Sequence, residues 1–182
     1  MDETPGLTYT AEIISVTDAD TLVLEFNGSE QRTCRIFGID APETVYASTV
    51  WSSVYDQLPS ELQTQQWGTE ADARFEELLI SNTGAGSPVG LDVTVYIRDT
   101  DIYDRLVVSI ENNESKDVAA EMVLTGHAVV WDQYAEAIPE LYEIYTDNEN
   151  IAHDQDVFIW SVDDPEMTWA DGRDVAVAAK AV

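Results

Sequence analysis

The stretch from Tyr9 to Asp40 constrains the fold most, because β-branched and apolar residues fill it and only two short segments interrupt them. The first interruption is Asp18-Ala19-Asp20, and the second is Asn27-Gly28. Asn-Gly is among the strongest signals for a hairpin, since both central residues of the favoured two-residue turn need a positive φ. This stretch therefore predicts three consecutive antiparallel strands.

The rest of the chain alternates between helical and strand patterns. Residues 45–66 have no regular period, and we expect them to form a long loop. Beyond this loop the sequence predicts helices over 69–82, 117–126 and 139–155, and strands over 89–98 and 105–111. Five strands with these helices predict an α+β protein, namely a five-stranded Greek-key β-barrel of the OB type with three packing helices.

The length and composition fit one globular domain. The chain has 182 residues, of which 45% are hydrophobic, and this is enough to build a sizeable core. We expect one domain over residues 1–161 and a C-terminal tail over 162–182. No apolar run reaches the 18 residues or so of a membrane span, and the sequence shows no secretory signal at Met1.

The charge balance is extreme, with 8 Lys and Arg against 36 Asp and Glu and a formal net charge of -28. Such self-repulsion destabilises the compact state in dilute salt, and screening relieves it because the Debye length falls to about 3 Å near 1 M salt. We therefore expect an acidic surface and a halophilic protein. Lys116 and Lys180 are the two lysines, so the other cations are arginines, which suit bidentate phosphate contacts.

Short motifs follow one another in a fixed order along the chain. They are Asp18-Ala19-Asp20-Thr21, Arg35 with Asp40, Pro42 and Glu43, and Tyr103-Asp104-Arg105. With "VLTGHA" and "IAHDQDVFIWS", this order resembles the staphylococcal nuclease (thermonuclease) family from about Tyr9 to Ser161. The resemblance implies a calcium-dependent nuclease, a hydrolase that cuts the phosphodiester bonds of DNA and RNA and leaves 3′-phosphate ends.

The aspartates suit a hard metal ion. Ca²⁺ prefers carboxylate and carbonyl oxygens, and Asp20 and Asp40 stand where neighbouring predicted strands end, so both can reach one ion. The resemblance adds the backbone carbonyl of Ala41 as a ligand and places Asp18 beside the ligands. Asp18 is equally well explained as a hydrogen-bonded turn aspartate.

The resemblance also assigns the catalytic groups. Glu43 is the general base that activates water, and Arg35 and Arg105 bind the phosphate, because a guanidinium donates two parallel hydrogen bonds to it. Glu43 follows Pro42, and a glutamate in such a place is most commonly an exposed loop residue. The assignment of Glu43 as the base therefore depends on its position three residues after Asp40.

Three aromatic residues are candidates for substrate binding. Tyr103 resembles the tyrosine with which the family contacts the terminal phosphate of a nucleotide. Trp131 and Tyr134 are candidates for stacking against a base, and a place in the core is the alternative for both.

The sequence departs from the family pattern at three positions. Ala19 and Asp104 replace glycines, and Ile102 replaces a lysine. Ala19 limits the conformations of its turn, and the negative charge of Asp104 beside Arg105 should weaken substrate binding at low salt.

Two functions from different classes follow from this sequence. One is an active nuclease, and the other is a catalytically inactive nuclease-like OB module that binds nucleic acid or protein. The presence of Arg35, Asp40, Glu43 and Arg105 together favours the enzyme. By resemblance we expect an extracellular protein, and we expect a monomer.

Other metal sites are disfavoured by spacing. "DTDIYD" lacks the glycine and final glutamate of an EF-hand loop. His127 and His153 have no Cys or His partner at zinc-ligand spacing, and we expect each at a helix end or on the surface.

Overall fold

The computed structural model describes residues 1–42 and 68–161, except for the side chains of residues 133 and 134. The predicted loop 45–66, the predicted base Glu43 and the predicted tail 162–182 lie outside the described residues. The side chain of Tyr134 lies outside them as well.

Five strands of the described chain close into a barrel in the order β1-β2-β3-β6-β5. They are β1 (Thr8–Asp18), β2 (Thr21–Phe26), β3 (Glu30–Ile36), β5 (Asp92–Thr100) and β6 (Leu106–Glu111). The pairing of β3 with β6 is parallel, and the other pairings are antiparallel. The three consecutive antiparallel strands predicted at the start of the chain are confirmed as β1, β2 and β3.

Three helices pack on the barrel, as predicted. They are α1 (Gly68–Ile80), α2 (Val118–Leu124) and α4 (Pro139–Asp154), and a short helix α3 (Asp132–Ala135) that the sequence pattern did not indicate precedes α4. A 3-10 turn follows at Phe158–Ser161. None of these helices is long and apolar enough to cross a membrane.

The hairpin between β2 and β3 has the predicted conformation. Asn27 and Gly28 have φ values of 54° and 72°, which are the positive values that this turn requires. Ala19, in the preceding turn, is buried and has no positive φ, so alanine fits there without strain.

The core fills the barrel and the space under the helices. Leu22, Leu24 and Phe26 alternate along β2, and none of them is accessible to solvent. Phe75 of α1 and Tyr145 of α4 close the core from the helical side, and Cys34 is completely buried, as expected for a small apolar residue.

A second, two-stranded sheet was not predicted. It joins β4 (Ile39–Asp40) to β7 (Val129–Val130). Gly38, just before β4, has a φ of 73°, and a Cβ at this position would lie 3.0 Å from the Tyr145 ring. The chain therefore turns sharply against the core here, and this turn fixes where Asp40 lies.

His127 is more buried than the sequence indicated. It follows the left-handed Gly126 at the end of α2, and its side chain is nearly inaccessible because its ring packs 3.6 Å from the ring of Phe158. Desolvation by this burial is the main cause that lowers the pKa of His127 to about 4, and the charge of Arg74 adds to the effect. His153 is exposed in α4, as expected.

Candidate active site

One guanidinium joins two carboxylates at the end of the barrel. Arg35, near the end of β3, forms an ion pair through Nη1 with Asp20 Oδ1 and donates from Nη2 to Asp40 Oδ1 at 2.7 Å. Nη2 also donates to the Ile39 carbonyl at 3.2 Å. We call Asp20, Arg35 and Asp40 the aspartate–arginine cluster. It is assembled from the turn before β2, from β3 and from β4.

Asp20 is the most deeply buried carboxylate of this cluster, with 3% of its surface exposed. Its Oδ1 also accepts a hydrogen bond from the Thr21 hydroxyl at 3.1 Å, and its Oδ2 accepts one from the Ala41 amide at 3.1 Å. A buried charge is tolerated only when it is paired and hydrogen-bonded. Arg35, Thr21 and Ala41 together satisfy this requirement.

Asp18 lies beside the cluster. Its Oδ1 accepts a hydrogen bond from the Asp20 amide at 3.2 Å, so it also stabilises its turn. Desolvation raises the pKa of Asp18, and the positive charges of Arg35 and Arg105 oppose this rise. Both arginines are therefore close enough to Asp18 to act on its charge.

Arg105 belongs to the turn between β5 and β6, which we call the 101–105 turn. Asp101 Oδ1 accepts hydrogen bonds from the backbone amides of Tyr103 and Arg105, each at 2.9 Å, and Asp101 Oδ2 accepts one from Arg105 Nε at 2.7 Å. Desolvation acts to raise the pKa of Asp101, but the hydrogen bonds and charge of Arg105 outweigh it and the pKa is lowered. One carboxylate thus fixes both the turn and the arginine.

Asp104 has the conformation that a glycine would favour. Its φ is 63°, in the left-handed region that strains most side chains. The Asp104 carbonyl accepts a hydrogen bond from Arg32 Nη2 at 3.0 Å, which ties the turn to β3.

Pairing of β3 with β6 brings the two arginines to the same end of the barrel. Arg35 is opposite Val107, and Arg105 lies two residues before Val107. The structure therefore gathers six of the predicted site residues at this end: Asp18, Asp20, Arg35, Asp40, Ala41 and Arg105.

The aromatic candidates lie next to the arginines. The Tyr103 ring centroid is 5.6 Å from Arg105 Cζ, and that of Trp131 is 5.7 Å from Arg35 Cζ, which are both distances of cation–π contacts. The contact of Trp131 with Arg35 was not predicted, because 96 positions separate the two residues and no local pattern links them. The Trp131 amide donates to the Gly38 carbonyl at 2.9 Å, so the short β4–β7 sheet positions this tryptophan.

The oxygen atoms at this end of the barrel are of the chemical type that binds Ca²⁺. Asp20 and Asp40 offer carboxylate oxygens and Ala41 a backbone carbonyl, which are the hard ligands that Ca²⁺ prefers. Within residues 1–42 and 68–161, no group of three or more His, Cys, Asp or Glu side chains is arranged to hold a metal. Two carboxylates alone do not fill the six to eight positions typical of Ca²⁺, so water and substrate oxygens would have to supply the rest.

A small closed barrel with paired aspartates and two arginines at one end defines an OB-type protein whose site suits a phosphate ligand. A family model for staphylococcal nuclease homologues matches residues 33–162, which is more than half of the chain. The chain belongs to the staphylococcal nuclease homologue family, and the predicted family and OB-type fold are confirmed. No curated protein matches the chain significantly.

Proposed function

We propose that this protein is a calcium-dependent nuclease that hydrolyses phosphodiester bonds of DNA and RNA and leaves 3′-phosphate ends. Membership of the family supports a relationship to nucleases. The observation that carries the proposal furthest is the aspartate–arginine cluster, in which a buried arginine and two carboxylates meet at the ends of strands. A structural barrel has no need of such a cluster, which is costly to bury.

In this proposal Asp20, Asp40 and the carbonyl of Ala41 hold the metal, and Asp18 lies beside them. The bound Ca²⁺ would neutralise the negative charge that develops on the phosphate during hydrolysis. The Ala41 amide that donates to Asp20 holds this carboxylate in place, so β4 and the residue after it position both aspartates.

Arg35 and Arg105 bind the phosphate oxygens. Asp101 fixes Arg105 through Nε, so the arginine loses little side-chain entropy when its remaining nitrogens meet a phosphate. Tyr103 contacts the terminal phosphate of the bound strand, and Trp131 and Tyr134 are candidates for stacking on a base.

Glu43 is the proposed general base. It follows Pro42, three residues after Asp40, and would take a proton from the water that attacks phosphorus. The 5′ oxygen then leaves, and the phosphate stays on the 3′ side of the cut.

The second candidate function is an inactive nuclease-like OB module that binds nucleic acid or protein. Asp104 favours it, because this residue adds a carboxylate one position before Arg105, 3.6 Å from Arg32 Nη2, and has the strained φ of a position suited to glycine. The pairing of Arg35 with both carboxylates also favours it, since a phosphate must compete with them.

Digestion of DNA and RNA at about 2 M salt, where repulsion is screened, separates the two candidates. We expect cleavage with Ca²⁺, no cleavage with a chelator, and loss of cleavage in Glu43→Gln. Glu136→Gln, which changes an exposed acid outside the site, is the matched control. Product 3′ ends that a polymerase extends only after phosphatase treatment would identify 3′-phosphates. Nucleic-acid binding without cleavage would establish the module instead.

We further propose an extracellular, monomeric protein that acts at high salt. The proposal is supported by the net charge of -28 and by the family resemblance. Gel filtration at high salt would test the monomer, the salt profile of activity would test halophily, and fractionation of the producing culture would test the location.

A further inference from the structure

The 101–105 turn exposes two adjacent apolar side chains at the phosphate-binding end of the barrel. Ile102 is 82% exposed, the highest value among the exposed large hydrophobic residues of the described chain, and Tyr103 is 42% exposed. Single exposed apolar residues are common and need no explanation. This pair stands out because it precedes Arg105, which the proposed function assigns to phosphate binding.

The turn holds this pair in a fixed conformation. Asp101 accepts three hydrogen bonds within the turn, the Asp104 amide donates to the Asp101 carbonyl at 3.1 Å, and Arg32 binds the Asp104 carbonyl from β3. Arg105 also packs on the Tyr103 ring. A surface that is already ordered loses little conformational entropy when a ligand binds.

The charge of the chain makes an apolar contact useful at this position. A protein of net charge -28 repels a nucleic acid strand at low salt, and phosphate contacts weaken as salt rises because the release of counterions into a more concentrated solution gains less entropy. Apolar contacts do not weaken in this way, and some salts strengthen them. At high salt, an apolar side chain beside the phosphate site therefore keeps its contribution to the binding affinity. A lysine at the same position would lose its contribution.

We propose that Ile102, with Tyr103, is a base-binding surface that contacts an unpaired nucleobase next to the phosphate held by Arg105. This inference rests on the proposed function. Bases of an unpaired strand expose apolar faces that bind such surfaces without sequence preference. Ile102 and Tyr103 thus supply a part of the affinity that does not fall as salt rises.

The test replaces Ile102 by serine and by lysine, with the same two changes at Val89 as matched controls. Val89 is 55% exposed and precedes β5, whereas Ile102 follows β5, so about 30 Å of strand separates the two positions. Glu43→Gln is present in all proteins, so that the strand stays intact, and electrophoresis checks this. The probe is a fluorescein-labelled oligothymidylate of about 12 nucleotides, whose binding is measured with Ca²⁺ from about 0.1 M to about 2 M salt.

Ile102→Ser should weaken binding by about fivefold at every salt concentration, as expected for partial loss of apolar burial. Ile102→Lys should bind more tightly than the parent at low salt and more weakly at high salt, because its added phosphate contact steepens the salt dependence by about 0.7 in the logarithmic slope. The curves for Val89→Ser and Val89→Lys should follow the parent.

Curves for the Ile102 variants that coincide with those of the Val89 variants would overturn the base-binding surface and leave the proposed function intact. Concentration-dependent dimers that disappear in Ile102→Ser, with unchanged oligonucleotide binding, would also overturn it and identify a second copy as the occupant. A parent protein that binds no oligonucleotide at any salt would overturn the proposed function itself.

Discussion

The aspartate–arginine cluster and the 101–105 turn each hold one arginine, but they do so by different means. Arg35 is 9% exposed and is held by one carboxylate from the turn before β2 and one from β4, whereas Arg105 is held by Asp101, four residues earlier in the same turn. Burial makes the first arrangement costly to disturb. The second is local and partly exposed, so it can change without disturbing the barrel. The comparison separates a site built by the fold from one built by a single turn.

The largest difference should appear in stability. Arg35→Met leaves the buried Asp20 and the half-buried Asp40 without their cation, and we expect it to lower the free energy of unfolding by about 3 to 5 kcal/mol. Arg105→Met should lower it by less than about 1 kcal/mol, because its ion pair is partly exposed. Urea unfolding of both variants at the same salt concentration measures this difference. Equal losses would show that the cluster is no more integral to the fold than the turn.

Calcium should also distinguish the two regions. At about a hundredfold excess over the dissociation constant, bound Ca²⁺ stabilises a protein by about 2.7 kcal/mol, and the thermal midpoint should rise accordingly. Asp40→Asn should abolish this rise, whereas Asp101→Asn should retain it and so controls for non-specific binding to the acidic surface. A rise of equal size in Asp40→Asn would place the metal elsewhere.

Asp104→Gly tests whether the strained turn limits the protein. Relief of the left-handed conformation should stabilise the fold by up to about 1 kcal/mol. Removal of the Asp104 carboxylate, which lies 3.6 Å from Arg32 Nη2 and one residue before Arg105, removes negative charge from this turn and should tighten oligonucleotide binding at low salt. Asn82→Gly is the control, since Asn82 has a φ of 57° in another turn. It should stabilise the fold without changing binding, measured by thermal unfolding and fluorescence anisotropy. If Asn82→Gly changed oligonucleotide binding as much as Asp104→Gly, the change in binding would not come from the surroundings of Arg105.

The smallest effect concerns the pH dependence of the turn. Because the pKa of Asp101 is lowered in the folded state, its ionised form stabilises the fold above the unfolded pKa of about 3.9. This contribution is lost as pH falls through the lowered pKa. Asp101→Asn should therefore be less stable than the parent by under about 1 kcal/mol at pH near 7, and in urea unfolding the gap should be smaller at a pH below about 3.9. A gap of equal size at both pH values would refute the ion pair.

Local patterns predicted the parts of the fold that depend on local sequence. The Asn27-Gly28 hairpin and the three longer helices follow from turn residues and periodicity. The parallel pairing of β3 with β6 and the short sheet of β4 with β7 join segments some 70 to 90 residues apart, and two-residue strands carry no period to recognise.

The same division applies to the site. The spacing of Arg35 and Asp40 indicated that they act together, and their hydrogen bond fits that expectation. Two contacts of Arg35 depend on how the strands meet: its ion pair with Asp20 and its packing near Trp131. No sequence motif indicated either contact. At Asp104, which replaces a glycine of the family pattern, the sequence predicted only an effect of the negative charge, and the left-handed conformation of this residue was not predicted.

The most direct test of the account compares calcium-dependent cleavage of single-stranded DNA by Asp40→Asn and by Asp101→Asn. Each variant neutralises one aspartate that pairs with one arginine. If the aspartate–arginine cluster is the metal site of a nuclease, the parent cleaves only with Ca²⁺ and Asp40→Asn loses cleavage, whereas Asp101→Asn, which releases Arg105, cleaves more slowly but needs the same Ca²⁺ concentration as the parent for half-maximal cleavage. Cleavage by Asp40→Asn at the parent rate, or by the parent in the presence of a chelator, would contradict the account.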